Sequence, residues 1–239
     1  LMQAIGRMAG DALLHHRAER CQRRPDVVAD ARILRFDREA ARRPMHQRAD
    51  VLHPLGHVPG ILMGTVRSQR AHAEPLFGDS RGFFLESYNK RMLAEAAGIR
   101  AEFVQDNHSR SAGGVLRGLH YQLQQPQGKL VRVACGAVFD VAVDIRRRSP
   151  TFGKVACVEL SDANQRMFWL PPGLAHGFLV VSATADFLYK TTDYYAPEHE
   201  RCILWNDAEL AIPWPLDGAP TLSAKDVQGL PFAVAELFP

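Results

Sequence analysis

One run limits the fold of this chain more than any other. From Val138 to Ile145, the residues Phe139, Val141, Val143 and Ile145 alternate with Asp140, Ala142 and Asp144. Alternation at this period is the mark of a β-strand, because successive side chains leave a strand on opposite faces. Lys129–Cys135 reads as the preceding strand, with Gly136 at a hairpin turn. Further strands are expected at 154–160, 167–170, 177–181, 187–192 and 202–205. Turn clusters separate them: Arg148-Ser149-Pro150, Ser161-Asp162-Ala163-Asn164 and Pro171-Pro172-Gly173. Short strands at this spacing predict a mainly β fold, a sandwich or barrel of jelly-roll type. A short helix is expected from Asn89 to Gly98, with Met92, Leu93 and Ala96 on one face and Gly98 at the left-handed cap.

Charge divides the chain in two. Residues 1–73 carry 13 Arg, no Lys and 7 acidic residues, a net of +6, whereas residues 74–239 carry −3. The basic balance therefore belongs to the first third and is no nucleic-acid footprint of the whole. That third has weak periodicity, and Pro54, Gly56, Pro59, Gly60 and Gly64 break its one apolar stretch. It reads as a disordered or poorly structured extension, or as translation upstream of the true start. A basic nucleic-acid-binding arm is the competing reading, but Phe36 is a meagre platform for base stacking. Residues 74–239 are expected to form the β domain. No run approaches the ~18 apolar residues of a membrane span. Arg7 and Asp11 interrupt what a secretory signal would need. The expectation is a cytoplasmic chain with neither membrane nor nucleic-acid partner. Cys21, Cys135, Cys157 and Cys202 are widely spaced with no CxxC pair, and read as free thiols.

The run Val115-Leu116-Arg117-Gly118-Leu119-His120-Tyr121-Gln122 is the most informative chemically. In a strand, Gly118, His120 and Gln122 share a face. A histidine beside a small residue inside a barrel can reach a ligand, and imidazole titrates where proton abstraction needs it. A core histidine bonded to a backbone carbonyl fits the same pattern. A metal on this strand would call for a second ligand two residues from His120, where Gln122 follows and Gly118 precedes it, so no metal is expected. Lys129, pointing inward, would be a fixed cation for a phosphate or an enolate. Arg81, Arg117 and Lys225 are further cations. Tyr189 shares a face with Phe187, and its phenol can donate a proton or simply pack. His176 follows a tight turn and Asp226 suits a helix cap or turn. No Gly-rich phosphate loop, GxSxG elbow, HExxH or GxGxxG is present, so no nucleotide cofactor is implied.

Taken together, these residues resemble the dTDP-4-dehydrorhamnose 3,5-epimerase family. The matching runs are residues 77–89 (Phe-Gly-Asp-Ser-Arg-Gly-Phe-Phe-Leu-Glu-Ser-Tyr-Asn), 103–109, 115–122, 127–132, 138–146, 149–153, 171–178, 187–190, 203–207 and 222–226. The likeness covers residues 74–232. It implies a cupin-like double-stranded β-helix that works as a homodimer without metal or other cofactor. The implied substrate is dTDP-4-keto-6-deoxyglucose, whose protons at C3 and C5 both lie α to the ketone. The resemblance assigns His120 as base, Asp226 as its orienting partner, Tyr189 as the acid on the opposite face, and Lys129 as the cation at the C4 oxygen. His176 would lie near the sugar. Arg81, Glu86, Gln105, Asn107 and Arg117 would hold the nucleotide and diphosphate, with Phe84 and Tyr195 as pocket groups. Glu200 and Lys225 fall at substrate-contact positions. A monofunctional 3- or 5-epimerase, or a non-catalytic nucleotide-sugar binder, would share much of this set. The family's opening strand, of the type Ile-x-x-Val-x-x-x-x-Pro, has no match over Met63 to Pro75 beyond Glu74-Pro75. That departure places dimerisation in question.

Overall fold

In a computed structural model, residues 28, 30–36, 72–73 and 76–239 are described. Most of the Arg-rich segment, Cys21 included, lies outside the described residues. The chain divides into two compact units. One comprises the described residues up to Ile33 together with Ala101–Pro239, and the other lies within Leu34–Arg100.

The smaller unit holds the end of β1 (Arg32–Phe36), paired in parallel with β2 (His72–Ala73). A hairpin follows, formed by β3 (Leu76–Asp79) and β4 (Gly82–Leu85). Helix α1 (Lys90–Ala97) forms where the sequence predicts it. The Asn89 side chain accepts from Met92 N–H, and Gly98 ends the helix at φ 65°. Both devices satisfy backbone groups that a helix end leaves unpaired.

The larger unit is two packed antiparallel sheets. The first contains β10 (Met167–Leu170), β7 (Lys129–Cys135), β12 (Thr184–Thr191) and β5 (Gln105–Ala112), side by side in that order. The second runs β13 (Glu200–Cys202), β6 (Leu116–Gln122), β11 (Leu174–Val180), β8 (Ala137–Asp144) and β9 (Val155–Ser161). This is the expected mainly β, jelly-roll architecture. The predicted strands form with ends displaced by a few residues, except that the one expected at 202–205 is realised as β13 and overlaps it only at Cys202. Gly136 makes the β7–β8 turn at φ 79°, and a Cβ there would fall 2.0 Å from the Thr184 carbonyl oxygen. Only glycine fits such a turn.

Two apolar clusters explain why β8 alternates. Phe139, Val141, Val143 and Ile145 enter a cluster with Leu116, Leu119 and Trp214. Val138 and Ala142 face the other cluster, with Val131, Phe168, Phe178 and Phe187. Val28 is fully buried in this second cluster, with Ala31 and Ile33 packed against it. Burying a ring such as Phe187 contributes roughly 1.5–3 kcal/mol. Its stacking on Phe178, 4.2 Å between centroids at 15°, adds about 0.5–1.5 kcal/mol. Because both faces of β8 are covered, Asp140 and Asp144 are fully buried and need partners. Asp144 finds the Arg146 guanidinium and the hydroxyls of Ser149 and Thr151.

The thiol expectation holds in part. Cys135 and Cys202 are free, but Cys157 is disulfide-bonded.

Candidate active site

His120 sits on β6 between two neighbours. The register sets it opposite His176 of β11 on one side and Cys202 of β13 on the other. The position two before it, Gly118, is expected to leave room for a ligand. The structure gives that room to backbone instead. At φ 122°, a Cβ on Gly118 would meet Gly177 Cα at 2.5 Å. The bare position lets β6 and β11 approach closely, and it turns the Gly118 N–H toward Asp226.

Asp226 reaches His120 from the far end of the chain. It is the third residue of helix α2 (Ala224–Val227), capped by Ser223. Ser223 Oγ donates to Asp226 Oδ2 at 2.6 Å, and Ser223 N–H donates to the same oxygen at 3.2 Å. Gly118 N–H donates to Oδ1 at 3.0 Å. His120 Nε2 stands 2.7 Å from Oδ1 without an in-line hydrogen bond of its own. Asp226 is only 2% exposed. Burial opposes its charge, but His120, the Ser223 hydroxyl and the Gly118 amide outweigh that and hold the carboxyl well below the usual range. The helix-cap and histidine-partner readings of Asp226 are therefore both realised in one side chain.

Lys129 opens β7 and is pushed down to about 8. Burial is the main cause, opposed by the charges of Glu200 and Asp140, with Lys225 adding to the fall. Tyr189, on β12, is raised by burial, so its phenol stays protonated at neutral pH. It feels the charges of Arg117, Glu200 and Lys225. Glu200 accepts from Tyr195 Oη at 2.6 Å and from Lys225 Nζ. Burial works against the charge of Glu200, but Lys225 and Tyr195 more than offset it and lower its carboxyl. Arg117 is exposed and donates to Ser111 Oγ at 3.1 and 3.2 Å. Gln105 donates to Asn107 Oδ1 at 2.9 Å and accepts from Tyr195 N–H. That leaves Asn107 Nδ2 buried with no partner among the described residues, a donor free for a ligand. Arg81 and Glu86 belong to the other unit, in the β3–β4 turn and just past β4.

His176 has a partner that sequence patterning missed. Its Nε2 lies 3.0 and 3.1 Å from the two oxygens of Asp140. Both are buried, and the imidazole stacks on Phe187 at 6.0 Å. Burial raises Asp140, with His176 and Lys129 opposing. Asp140 looks like the polar side of an alternating strand, and only the second apolar cluster reveals otherwise. The site thus has two His–Asp pairs, a lysine on β7, a half-buried phenol on β12, and a rim of Arg, Lys and amide groups. Such a set suits acid–base chemistry on an anionic ligand.

The comparisons decide the family. A model of dTDP-4-dehydrorhamnose 3,5-epimerase matches residues 68–233. The chain belongs to the dTDP-4-dehydrorhamnose 3,5-epimerase family. The epimerase of this name from Pseudomonas aeruginosa is 65% identical over 164 residues, covering 69% of this chain and 91% of that protein. Its counterpart from Escherichia coli is 55% identical, covering 63% and 82%. A crystal structure of dTDP-6-deoxy-D-glucose-3,5-epimerase from Legionella pneumophila, in complex with dTDP-4-keto-L-rhamnose, is 56% identical. It superposes with a TM-score of 0.67 over 68% of this chain and 87% of that one. A 3'-monoepimerase from Streptomyces bikiniensis, in complex with dTDP-quinovose, matches at 33% identity and TM-score 0.63, covering 66% and 80%. Family membership establishes the epimerase fold as cupin-like and the ligand class as a nucleotide sugar. No helix among the described residues is long and apolar enough to cross a membrane.

Proposed function

We infer that this epimerase converts dTDP-4-keto-6-deoxyglucose to dTDP-4-keto-L-rhamnose by inverting C3 and C5, in the synthesis of dTDP-L-rhamnose. The observation that carries this is the charged Asp226 held 2.7 Å from His120. Asp226 occupies the Nε2 side of the imidazole, so Nδ1 is the nitrogen that takes a proton. A proton α to the C4 ketone moves to Nδ1, and its electron pair becomes an enolate with charge on the C4 oxygen. The Asp226 carboxylate stabilises the imidazolium that results. Lys129 supplies the cation for the enolate oxygen, a type of contribution worth about 3–4 kcal/mol where donors are preorganised. Tyr189, protonated, delivers a proton to the opposite face of the carbon, which inverts it.

The dTDP handle calls for cations and amide donors. Arg117 and Lys225 suit the diphosphate, because guanidinium and ammonium groups bind its oxygens through charge-assisted hydrogen bonds. Glu200 positions Lys225 and Tyr195. Gln105 and Asn107 offer the amide donors. His176, held by Asp140, lines the sugar. The working form is a homodimer in the cytoplasm, in keeping with the family resemblance, and sedimentation of the full chain tests it.

Turnover in D2O, followed by NMR, tests the reaction. Deuterium at both C3 and C5 is expected. Deuterium at one carbon would make the chain a single-centre relative of the monoepimerase kind. Binding of dTDP without exchange at either carbon would leave a nucleotide-sugar binder.

A further inference from the structure

Along β6 itself, Gly118 two before and Gln122 two after His120 supply no second metal ligand. The fold supplies ligands by another route. Cys202 lies opposite His120 in the β13–β6 register, and Asp226 comes from α2. One ligand atom from each of His120, Cys202 and Asp226 lies within 4.8 Å of the others. We propose that these three side chains form a chelating site for a borderline-soft divalent cation of the Zn2+ type, and that filling it switches the epimerase off.

The chemistry of the donor set selects the ion. Imidazole nitrogen, thiolate sulfur and carboxylate oxygen bind zinc at about 2.0–2.3 Å, which puts neighbouring ligand atoms about 3.3–3.7 Å apart. His120 Nε2 and Asp226 Oδ1, 2.7 Å apart, would part by a few tenths of an ångström and Cys202 Sγ would move in toward them to reach that shell. A thiolate among them discriminates against Mg2+ and Ca2+. The carboxylate and thiolate together match the two charges of the ion, with the nearby Glu200 favouring and Lys225 opposing the cation. Asp226 already has the outer partners that fix a metal-ligating carboxylate, from Ser223 and the Gly118 amide. The cation displaces the Nε2 proton of His120 and takes over the 2.7 Å contact between Nε2 and Asp226 Oδ1. Three protein ligands leave a fourth position for water.

Inhibition follows from the tautomer, and this half of the proposal rests on His120 being the base. A cation on Nε2 takes the lone pair there, so the ring proton must sit on Nδ1. Nδ1 then has no lone pair to receive a proton from the sugar. The thiol proton of Cys202 leaves to the buffer as the sulfur–metal bond forms.

Cobalt is the direct probe, because a thiolate on Co2+ gives a charge-transfer absorption in the near ultraviolet whether or not the protein turns over substrate. The full chain titrated with Co2+ should develop that band. Cys202→Ala should abolish it and Cys135→Ala, which removes the exposed thiol, should keep it. Circular dichroism checks folding, and Cys202→Ser serves if the alanine variant is unfolded. In the turnover assay, Zn2+ should inhibit reversibly on chelator addition. Cys202→Ala should raise the half-inhibitory concentration by about tenfold or more, since even outer partners of a metal change affinity 10–100-fold. Absence of the band, or its loss in Cys135→Ala alone, overturns the site. A band accompanied by undiminished turnover, or equal zinc inhibition of wild type and Cys202→Ala, overturns the switch. A wild-type chain that shows the band but no turnover without zinc refutes the epimerase reading and leaves the site standing.

Discussion

The two His–Asp pairs contain the same groups in different surroundings. His120–Asp226 joins a strand to a helix start, and its carboxylate accepts from the Ser223 hydroxyl, the Ser223 amide and the Gly118 amide. His176–Asp140 lies between adjacent strands, against stacked Phe187 and Phe178. The first carboxyl is held low and the second is pushed up. Donors that stabilise charge overcome burial in one case, and burial prevails in the other. Identity of side chains therefore does not determine how far a buried carboxyl keeps its charge. The number of hydrogen bonds reaching the carboxylate does.

Variants can break or sharpen this contrast. His120→Ala should have the largest effect, lowering kcat by about 10³–10⁴-fold with little change in dTDP affinity, as loss of a general base does. Isothermal titration with dTDP alongside the turnover assay separates the two. Asp226→Asn comes next. It keeps the shape but removes the charge that stabilises the imidazolium, and kcat should fall about 10²–10⁴-fold. The same change weakens the capping box, so thermal unfolding should show a loss of about 1 kcal/mol.

Lys129→Met should lower kcat by about 10²–10³-fold, on the scale of removing one preorganised oxyanion donor. Lys129 also sets a pH dependence. A lysine is cationic below its pKa and neutral above it, so kcat/KM of the wild type should decline as pH rises through about 8. Lys129→Arg should remove that alkaline decline, whatever its activity. A decline unchanged in the arginine variant would assign it to another group. Asp140→Asn should have the smallest effect of the four, about tenfold in kcat, because burial already disfavours its charge and an amide keeps the contact to His176. A loss as great as that of Asp226→Asn would erase the distinction between the two pairs.

Much of this was legible in the chain. Alternation along Val138 to Ile145 foretells β8, and Asn89 and Gly98 mark the ends of α1 because cap chemistry is local. His120 and Lys129 stand out because a strand's period says which residues share a face. Partnerships between distant segments leave no such trace. Asp226 meets His120 only through the closing of α2 onto β6. Asp140 reads as the solvent side of a strand until two clusters cover both faces. Gly118 is read as space for a ligand, whereas adjacent backbone fills it. Cys202 carries no signal at all, since its place opposite His120 depends on β13 adding to the sheet edge.

Asp226 closes the first turn of α2 and orients His120 with one carboxylate. Helix α2 is therefore also the arming step. As the polypeptide leaves the ribosome, every strand of the two sheets is made before Asp226 emerges. A nascent chain at that stage has its imidazole in place on β6 but lacks the charge that makes it a base. Catalytic competence is thereby deferred until synthesis has passed residue 226, and a product cut short before that point would lack both the carboxylate at His120 and the Phe232 and Ala235 that help close the first apolar cluster.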